Sequence, residues 1–439
     1  MQKAHQVAVI GAGPAGLYGA RELAEAGVNV TLFNRDIKPG GLAEYGIYPE
    51  KVTMKNGLRK QFKKILNTPG LNYYGNISVG EEGDLSLDDV RSLGFQAILV
   101  TTGAQGTKWL GLPGEDLDGV YHAKDVVYYY NHLPPFNQRD FRFGSRCLIV
   151  GAGNVMIDIA RYLIREKKVD EVTALVRRGP AEVKFTKKEL EYVAANMDLD
   201  WLDAEIERCA ENMRSVNQDP DAAKEFLLSA LPKAQEKISD TKFGFRFLCS
   251  PKAMVGDEND LLTHVNVEEN LLVRKDDVTK PRGTGEILPI EAETIIFAIG
   301  DKVDEDFGLP TEWSEFLKNE SPRFPQDGKT YETAFARDIF VAGWSRKASD
   351  GLVGYARKDG VNGAHAVLNH LEELPKISSV DGAVEEKLAS LNKPIVTNDA
   401  ALHLYDAEAA EAEKRGVEEF KFDENSEMLE AIGLAAVVK

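Results

Sequence analysis

Two glycine-rich turns constrain what this chain can fold into more than any other feature. They occupy residues 11–16 (GAGPAG) and 151–156 (GAGNVM), and each follows an apolar segment and precedes one with helical periodicity. Glycines in such a turn let the backbone approach a pyrophosphate, which the N–H groups and dipole of the following helix then bind. The repetition, in this context, predicts two dinucleotide-binding units in one chain.

Length and composition predict a globular protein of two domains. The chain has 439 residues, of which 43% are hydrophobic and 28% charged, and no apolar run reaches the roughly 18 residues of a membrane span. Its formal net charge of −18 disfavours nucleic acids and membrane surfaces as partners. The first predicted strand begins close to Met1 and leaves no room for a signal peptide, so we expect a cytoplasmic protein.

The cysteine content argues against two kinds of redox site. The chain contains three cysteines, Cys147, Cys209 and Cys249, and no two of them have CxxC spacing. We therefore expect neither a redox disulfide of that spacing nor an iron–sulfur cluster held by four thiolates of this chain, and we predict no metal site.

The first unit combines predicted strands at residues 6–10, 28–33 and 97–102 with a helix at 15–26. A late buried strand at 338–344 precedes a helix at about 357–371 and has no glycine turn of its own. We therefore expect the chain to return to the first sheet at this strand.

The second unit combines predicted strands at 147–151 and 171–176 with a helix at 154–166. A charged helical region at 185–240 follows, and strand-like segments return at 244–248, 264–267 and 294–299. The predicted fold class is thus α/β, with two Rossmann-like dinucleotide-binding domains. The FAD-binding domain would comprise 1–107 and 332–439, with the NAD(P)-binding domain, 108–331, inserted into it.

Several motifs together resemble one family. They are residues 11–17, 41–47 (GLAEYGI), 102–104, 151–155 with Asp158, and 177–180 (RRGP). This combination resembles the adrenodoxin-reductase-like family of FAD-dependent NADPH:ferredoxin reductases, which is related to the small subunit of glutamate synthase, and the likeness covers nearly the whole chain. The resemblance implies that the first turn holds FAD, that the second holds NADP or NAD, and that no protein nucleophile is needed. FAD would pass electrons between NAD(P)H and an iron–sulfur protein.

The resemblance also implies which residues meet FAD. Asn34 stands where a carboxylate would commonly bind the adenosine ribose. Its amide would bind the hydroxyl without charge assistance, so affinity would depend on Arg35 or on backbone contacts instead. Trp344 would lie near the nicotinamide site, and the backbone N–H groups at 351–353 would stabilise reduced flavin. Tyr45 and Ile77 fit a flavin or adenine contact and ordinary burial equally well. The FAD-site candidates are Gly11, Gly13, Pro14, Ala15, Gly16, Asn34, Arg35, Gly41, Leu42, Tyr45, Ile77, Thr102, Gly103, Trp344, Gly351, Leu352 and Val353.

In the second turn Met156 replaces the third glycine. Arg177 and Arg178 stand at the end of the next strand, where an NAD-specific protein commonly carries a carboxylate. Paired guanidinium groups suit a 2′-phosphate and favour NADP over NAD, although two solvated surface charges are the alternative. The NAD(P)-site candidates are Gly151, Gly153, Asn154, Val155, Arg177, Arg178 and Glu189.

Three residues are candidates for positions near the reacting rings: Trp344, Asp158 and Lys51. Asp158 matches a family carboxylate whose partner is often histidine, and Lys51 stands at the corresponding place here. A Lys51–Asp158 ion pair would not titrate near neutral pH as a histidine would. Asp158 could instead only complement the dipole of its own helix.

The charge of one helical segment bears on which partner the protein can bind. Residues 201–240 carry nine acidic and five basic side chains, which disfavours docking of an acidic ferredoxin on that face. We therefore expect a subunit of a larger redox complex, for example one with a molybdenum- or tungsten-containing catalytic subunit. Alternatives are a glutamate-synthase-like electron-input subunit, a reductase with another acceptor, a flavin monooxygenase or disulfide reductase, and a scaffold that holds nucleotides without turnover. The helix-rich tail, 373–439, could brace the FAD domain, dock a partner, or both.

Overall fold

The computed structural model describes residues 3–276 and 278–434. Within them the chain forms two compact units. The first takes in the chain up to Thr107, Tyr128–Gln138 and the chain from Gly300 onward, and the second takes in Lys108–Val127 and Arg139–Ile299.

The strands are numbered in chain order. They are β1 (Gln6–Ile10), β2 (Asn29–Asn34), β3 (Leu71–Gly75), β4 (Ala97–Val100), β5 (Gly106–Thr107), β6 (Val120–His122), β7 (Arg146–Val150), β8 (Glu171–Val176), β9 (Lys242–Phe247), β10 (Cys249–Gly256), β11 (Leu262–Lys275), β12 (Val278–Glu291), β13 (Thr294–Phe297), β14 (Asp301–Lys302), β15 (Thr311–Glu312), β16 (Glu315–Phe316) and β17 (Ile339–Val341).

The α-helices are numbered in the same way. They are α1 (Pro14–Glu25), α2 (Leu42–Tyr45), α3 (Val52–Leu66), α4 (Leu87–Ser92), α5 (Ala123–Tyr130), α6 (Asn154–Tyr162), α7 (Lys187–Leu190), α8 (Leu199–Ser215), α9 (Pro220–Leu228), α10 (Val353–Leu371), α11 (Asp381–Ser390), α12 (Asn398–Arg415) and α13 (Asn425–Ala431).

The first unit is built on a parallel sheet in the order β17-β4-β1-β2-β3. Alternate residues of β1 enter two different core clusters, Val7 and Val9 on one side and Ala8 and Ile10 on the other. Both faces of the sheet are therefore covered, which explains why its central strands are apolar without interruption.

Two helices of this unit cross through glycines. A Cβ on Gly360 of α10 would lie 2.1 Å from the carbonyl oxygen of Ala15, and one on Gly19 of α1 would lie 3.0 Å from that of Gly360. Only glycine at position 360 allows so close an approach, and it places the middle of α10 against the start of α1.

The second unit combines a parallel sheet with an antiparallel one. The parallel order is β6-β13-β7-β8-β9, and β10-β11-β12 form a separate antiparallel sheet. β11 and β12 form a hairpin of two long strands, each of 14 residues. The hairpin is much longer than the strand-like segment at 264–267 that the sequence predicts.

The predicted α/β class and the return of the chain to the first sheet are confirmed, because β17 pairs in parallel with β4. Two stretches of the predicted NAD(P)-binding domain, residues 128–138 and 300–331, lie in the first unit instead. There, β14 pairs with β5, and Phe307 and Phe316 pack into the same core cluster as Ile98. Short strands and a 3₁₀ turn carry these aromatic residues, so their contacts leave no periodic pattern in the sequence.

No helix among the described residues is both long enough and apolar enough to cross a membrane. No group of three or more His, Cys, Asp or Glu residues among them could hold a metal ion.

Candidate dinucleotide sites

The first glycine turn lies between β1 and α1, and its three glycines serve different purposes. Gly11 has a φ of +103°, and a Cβ there would lie 2.7 Å from the carbonyl oxygen of Thr101. A Cβ on Gly16 would lie 1.8 Å from the carbonyl oxygen of Gly11, whereas a Cβ on Gly13 would meet no heavy atom within 4 Å. Internal packing therefore requires Gly11 and Gly16, while the space beside Gly13 is open to a ligand.

The second turn, between β7 and α6, repeats this arrangement. Gly151 has a φ of +149°, and a Cβ there would lie 2.5 Å from the carbonyl oxygen of Ala298, whereas a Cβ on Gly153 would again meet nothing within 4 Å. Met156, in the third position, is completely buried. Its side chain fills the core of the unit and leaves the open side of the turn unchanged.

Both helices that follow the turns begin without a side-chain cap. Their N-cap residues, Gly13 and Gly153, are extended, and neither first turn contains an acidic residue. The first N–H groups of such helices carry a partial positive charge and lack intrahelical acceptors. An open glycine beside an uncapped helix start fits a pyrophosphate in each unit.

A loop crosses each glycine turn. In the first unit the N–H of Gly40 donates to the carbonyl oxygen of Ala12 at 2.8 Å. In the second unit the N–H groups of Lys184 and Phe185 donate to that of Ala152 at 2.8 and 3.1 Å. The side-chain oxygen of Asn154 also accepts from the N–H of Thr186 at 3.1 Å. The two units thus share the turn and the way in which it is braced.

Asn34 braces the first turn from β2. Its side-chain oxygen accepts from the N–H of Ala12 at 3.0 Å, and its amide nitrogen donates to the carbonyl oxygen of Asp36 at 2.8 Å and to the Tyr73 hydroxyl at 3.2 Å. The side chain is buried and braces the turn, and the predicted ribose contact through this amide stays a prediction. Arg35 is exposed and bonds Asp36 and Gln105.

The candidates of the late segment come together in the first unit. The Ser345 hydroxyl accepts from the N–H of Gly103 at 2.9 Å, and it lies 3.2 Å from the hydroxyl of Thr102. Trp344 is half-buried, and its indole N–H donates to the carbonyl oxygen of Asp350 at 3.0 Å. The ends of β4 and β17 are therefore tied to the loop that leads into α10.

The start of α10 offers backbone donors next to an exposed apolar side chain. Gly351 has a φ of +76°. Leu352, the N-cap residue, makes no side-chain cap and is 71% exposed, and Val353 begins a helix of 19 residues. An apolar residue this exposed beside uncapped N–H groups is consistent with a surface that a ligand covers.

Sequence reasoning missed the ion pair that anchors this segment. Arg346 and Asp359 are both buried, and two guanidinium nitrogens donate to the carboxylate, the shorter contact being 2.7 Å. The other oxygen of Asp359 accepts from the N–H of Gly343 at 2.7 Å. Burial lowers the pKa of Arg346, but the bonds from Asp359 outweigh it and the pKa lies above its usual value. The sequence offers one signal for this pair, because Asp359 is an acidic residue among the glycines of α10 that pack inward.

The two arginines predicted to bind a 2′-phosphate have different surroundings. The Arg178 guanidinium donates to Glu182 at 2.8 Å and to the carbonyl oxygen of Thr279 at 2.9 Å. The Arg177 side chain is exposed, and its guanidinium contacts no other part of the described chain. Val155 is 44% exposed at the start of α6, and Glu189 is half-buried in α7. Arg177 is thus the cation of the pair that is available to a phosphate.

The other candidates differ in their surroundings. Tyr45 and Ile77 are both 1% exposed, and Ile77 belongs to the core cluster of Ile98. Gly41, with a φ of +50°, approaches Gly13 so closely that a Cβ on it would lie 3.1 Å from the Gly13 Cα. Lys51 belongs to the first unit and Asp158 to the second, so their pairing stays a prediction.

A buried group of charges, which we call the ionic cluster, lies behind the loop that carries Gly41 and Leu42. Lys38, which is fully buried, donates to Glu44 at 2.8 Å and also to Glu408 of α12. Lys421 donates to the carbonyl oxygens of Glu44 and Asn131 at 2.9 and 3.1 Å. Its members are Lys38, Glu44, Lys55, Arg59, Glu408, Glu419 and Lys421.

The cluster shifts several pKa values. Burial alone would raise the pKa of Glu44, but Lys38 and Lys421 hold it well below its usual value. Burial raises the pKa of Glu408 and lowers that of Lys421 to about 8. Three of these charges come from the C-terminal tail, which therefore braces the first unit.

Comparison with known proteins agrees with this architecture. The family model described as pyridine nucleotide-disulphide oxidoreductase matches residues 5–343, well over half of the chain. The chain belongs to the pyridine nucleotide-disulphide oxidoreductase family. In this family the name refers to a disulfide, yet the three cysteines here are buried and unpaired.

Two similar proteins are named as reductases of adrenodoxin or of ferredoxin. The mitochondrial NADPH:adrenodoxin oxidoreductase of Salvelinus fontinalis is 29% identical over 402 residues, covering 83% of this chain and 78% of that protein. The NADPH-ferredoxin reductase FprA of Mycobacterium leprae is 27% identical over 407 residues, covering 84% of each. The structure of Mycobacterium tuberculosis FprA in complex with NADPH has a TM-score of 0.82 at 24% identity, over 98% of this chain and all of that one. The predicted resemblance and the two-domain Rossmann fold are thereby confirmed.

Proposed function

We propose that this protein is an FAD-dependent oxidoreductase that passes electrons between NADPH and an iron–sulfur protein of the ferredoxin type. The observation that carries the proposal is the repeated site, in which each unit leaves open space beside one glycine and an uncapped helix start. The names of the relatives, which are NADPH-dependent reductases of adrenodoxin or ferredoxin, support this choice of donor and acceptor.

The first unit would hold FAD. Its pyrophosphate would lie against Gly13 and the N–H groups of Ala15 and Gly16, with Asn34 and Arg35 on the adenosine side, as predicted from the family. Thr102, Gly103 and Trp344 would line the flavin side, where the N–H groups at the start of α10 would favour negative charge on the reduced ring. When bound, FAD accepts a hydride from NADPH and releases the electrons one at a time.

The second unit would hold the nicotinamide nucleotide. Gly153 and the first N–H groups of α6 would bind its pyrophosphate. The exposed guanidinium of Arg177 supports a contact with the 2′-phosphate, and hence a preference for NADPH over NADH. Glu189 would stay on the adenosine side, as predicted from the family.

The partner is proposed at the level of its chemistry, as an iron–sulfur protein. A molybdenum- or tungsten-containing complex stays a prediction, since the relatives' names refer to adrenodoxin and ferredoxin only. The cytoplasmic location likewise stays a prediction.

Two matched variants test the proposal, because both glycines have open space and neither needs a positive φ. We expect Gly13→Asp to keep the fold but to lose FAD, since the carboxylate would repel the pyrophosphate. We expect Gly153→Asp to stay yellow and to lose NADPH-dependent reduction of ferricyanide by about 100-fold or more. The control Gly57→Ala, in open space on α3, should change neither property. Full flavin content in folded Gly13→Asp would contradict the assignment of the first site.

A further inference from the structure

The hairpin of β11 and β12 extends beyond the sheet that contains it. The third strand, β10, pairs with β11 only as far as Glu269. From the pair Asn270–Gly283 to the pair Lys275–Val278 the two strands continue alone. We call this two-stranded part, residues 270–276 and 278–283, the arm.

Alternation of side chains determines which residues of the arm face outward. The register of β11 and β12 shifts between Glu268 and Asn270, where the arm begins. Before the shift Val265 and Val267 are buried, and after it Asn270 and Leu272 are. Because side chains alternate along a strand, residues 271, 273 and 275 lie on the face opposite Asn270 and Leu272, toward solvent.

The outer face of the arm pairs an apolar residue with a cation on each rung. The pairs are Leu271 with Arg282, Val273 with Lys280, and Val278 with Lys275. Leu271, Val273 and Val278 are 52%, 40% and 51% exposed. All three cations are exposed, and none forms an ion pair with another described residue.

The inner face of the arm is anchored to its own unit. The Leu272 N–H donates to the side-chain oxygen of Asn212 at 2.8 Å, and the Asn270 amide donates to the carbonyl oxygen of Arg177 at 3.0 Å. The carbonyl oxygen of Thr279 accepts from the Arg178 guanidinium at 2.9 Å. These bonds hold the outer face in one arrangement, which lowers the entropy cost of binding a partner.

We propose that the outer face of the arm docks an acidic surface of the iron–sulfur partner. This inference rests on the proposed function. In a chain of net charge −18, three unpaired cations interleaved with three exposed apolar residues form a local complement to an acidic patch that has an apolar centre. Salt screens electrostatic forces beyond about 10 Å. A compact acidic protein can therefore bind the arm without being repelled by the acidic residues elsewhere in this chain. A broad anionic membrane would lie close to those residues and would be repelled.

The test is reversal of the three charges. The variant Lys275→Glu/Lys280→Glu/Arg282→Glu is compared with a variant of equal charge change on exposed, unpaired lysines elsewhere in the same unit, Lys233→Glu/Lys237→Glu/Lys242→Glu. The probe is a purified acidic [2Fe–2S] ferredoxin, with NADPH as donor and cytochrome c as final acceptor. We expect the arm variant to raise the KM for ferredoxin about 10-fold at low ionic strength, with the difference shrinking in high salt.

The other readouts separate the docking role from a structural one. Reduction of dichlorophenolindophenol by NADPH should be the same in all three proteins, because this dye needs no docking surface. A second variant, Leu271→Ser/Val273→Thr, should raise the KM for ferredoxin at low and high salt alike.

Several results would overturn the inference. An unchanged KM in the arm variant, or an equal rise in the control, rejects docking at the arm while leaving the proposed function intact. Charge-dependent binding of the arm to phosphatidylserine vesicles, or a dimer in sedimentation that the arm variant abolishes, identifies a different occupant and rejects it too. A wild type that reduces the dye but not ferredoxin rejects the proposed function together with the inference.

Discussion

Single glycines of the two turns divide into those that the fold requires and those that leave space for a ligand. Gly11 and Gly16 are required by contacts below 3 Å that their Cβ atoms would make, whereas Gly13 and Gly153 border open space. The sequence predicts all four positions because the turn has a fixed spacing. It does not predict the partners of Asn34, because an amide can face a ligand or its own backbone with equal ease.

Arg177 and Arg178 should behave differently when replaced by alanine. We expect Arg177→Ala to raise the KM for NADPH about 10- to 100-fold and to leave that for NADH unchanged, since a charge-assisted bond to the 2′-phosphate contributes about 1.5–3 kcal/mol. Arg178→Ala should instead lower thermal stability, because Glu182 and Thr279 lose their partner. Steady-state kinetics with both nucleotides distinguish the two. Equal losses with NADPH and NADH in Arg177→Ala would contradict the assignment.

The cysteines should be inert in the folded protein. Burial raises the pKa of Cys147 and Cys209 to about 12 and also raises that of Cys249. Because the thiolate is the reactive form, we expect no reaction with an aromatic disulfide reagent at pH 8 until the protein is unfolded, when three thiols should react. Alkylation of the native protein should leave NADPH oxidation unchanged. Rapid labelling of any thiol in the native state would revive a disulfide-reductase role.

Among single elements, the predicted strands at 6–10, 28–33 and 97–102 lie within two residues of β1, β2 and β4, because these buried strands are mostly apolar. The hairpin of β11 and β12 is not predicted at its full length. Nearly every residue of β12 is exposed, so no alternation of apolar and polar residues marks it. Its register depends on contacts with β11, which local sequence does not encode.

The link between β17 and α10 should be strongly sensitive to Asp359. Removing this carboxylate in Asp359→Ala leaves the buried Arg346 cation without its partner, which costs about 3–5 kcal/mol of unfolding free energy. Urea denaturation measures the loss. The neighbouring change Lys358→Ala breaks an exposed pair with Asp327 and should cost about 0–1 kcal/mol. Comparable losses in both variants would argue against the anchoring role of Asp359.

At the scale of the whole molecule, the tail completes the first unit. Leu404 and Tyr405 of α12 and Leu429 of α13 belong to the same core cluster as Val7 and Val9, and the ionic cluster ties the tail to the loop that carries Gly41. The sequence suggested bracing as one of two roles for the tail. The contacts that show bracing join residues hundreds of positions apart, which composition does not reveal, and docking of a partner by the tail stays a prediction.

The ionic cluster should make stability depend on pH through Lys421. Burial lowers its pKa to about 8 from 10.5 in the unfolded chain, so between these values the unfolded chain binds more protons and rising pH favours the folded state. We expect the unfolding free energy of the wild type, relative to Lys421→Met, to increase by about 2 kcal/mol from pH 7 to 10. Denaturation curves across this range provide the measurement. The exposed Lys414→Met is the control, and a difference independent of pH would contradict the shift.

The division of the first unit among three stretches of chain has a consequence for biosynthesis. On the ribosome, β1 to β4 emerge early, but β17 and α10 emerge only after the whole of the second unit. The inserted unit is contiguous apart from one short excursion and has all its strands by Phe297, so it can finish folding first. Until β17 and α10 emerge, one edge of β4 and one side of α1 stay uncovered on the nascent polypeptide. These are the surfaces that we expect chaperones to shield.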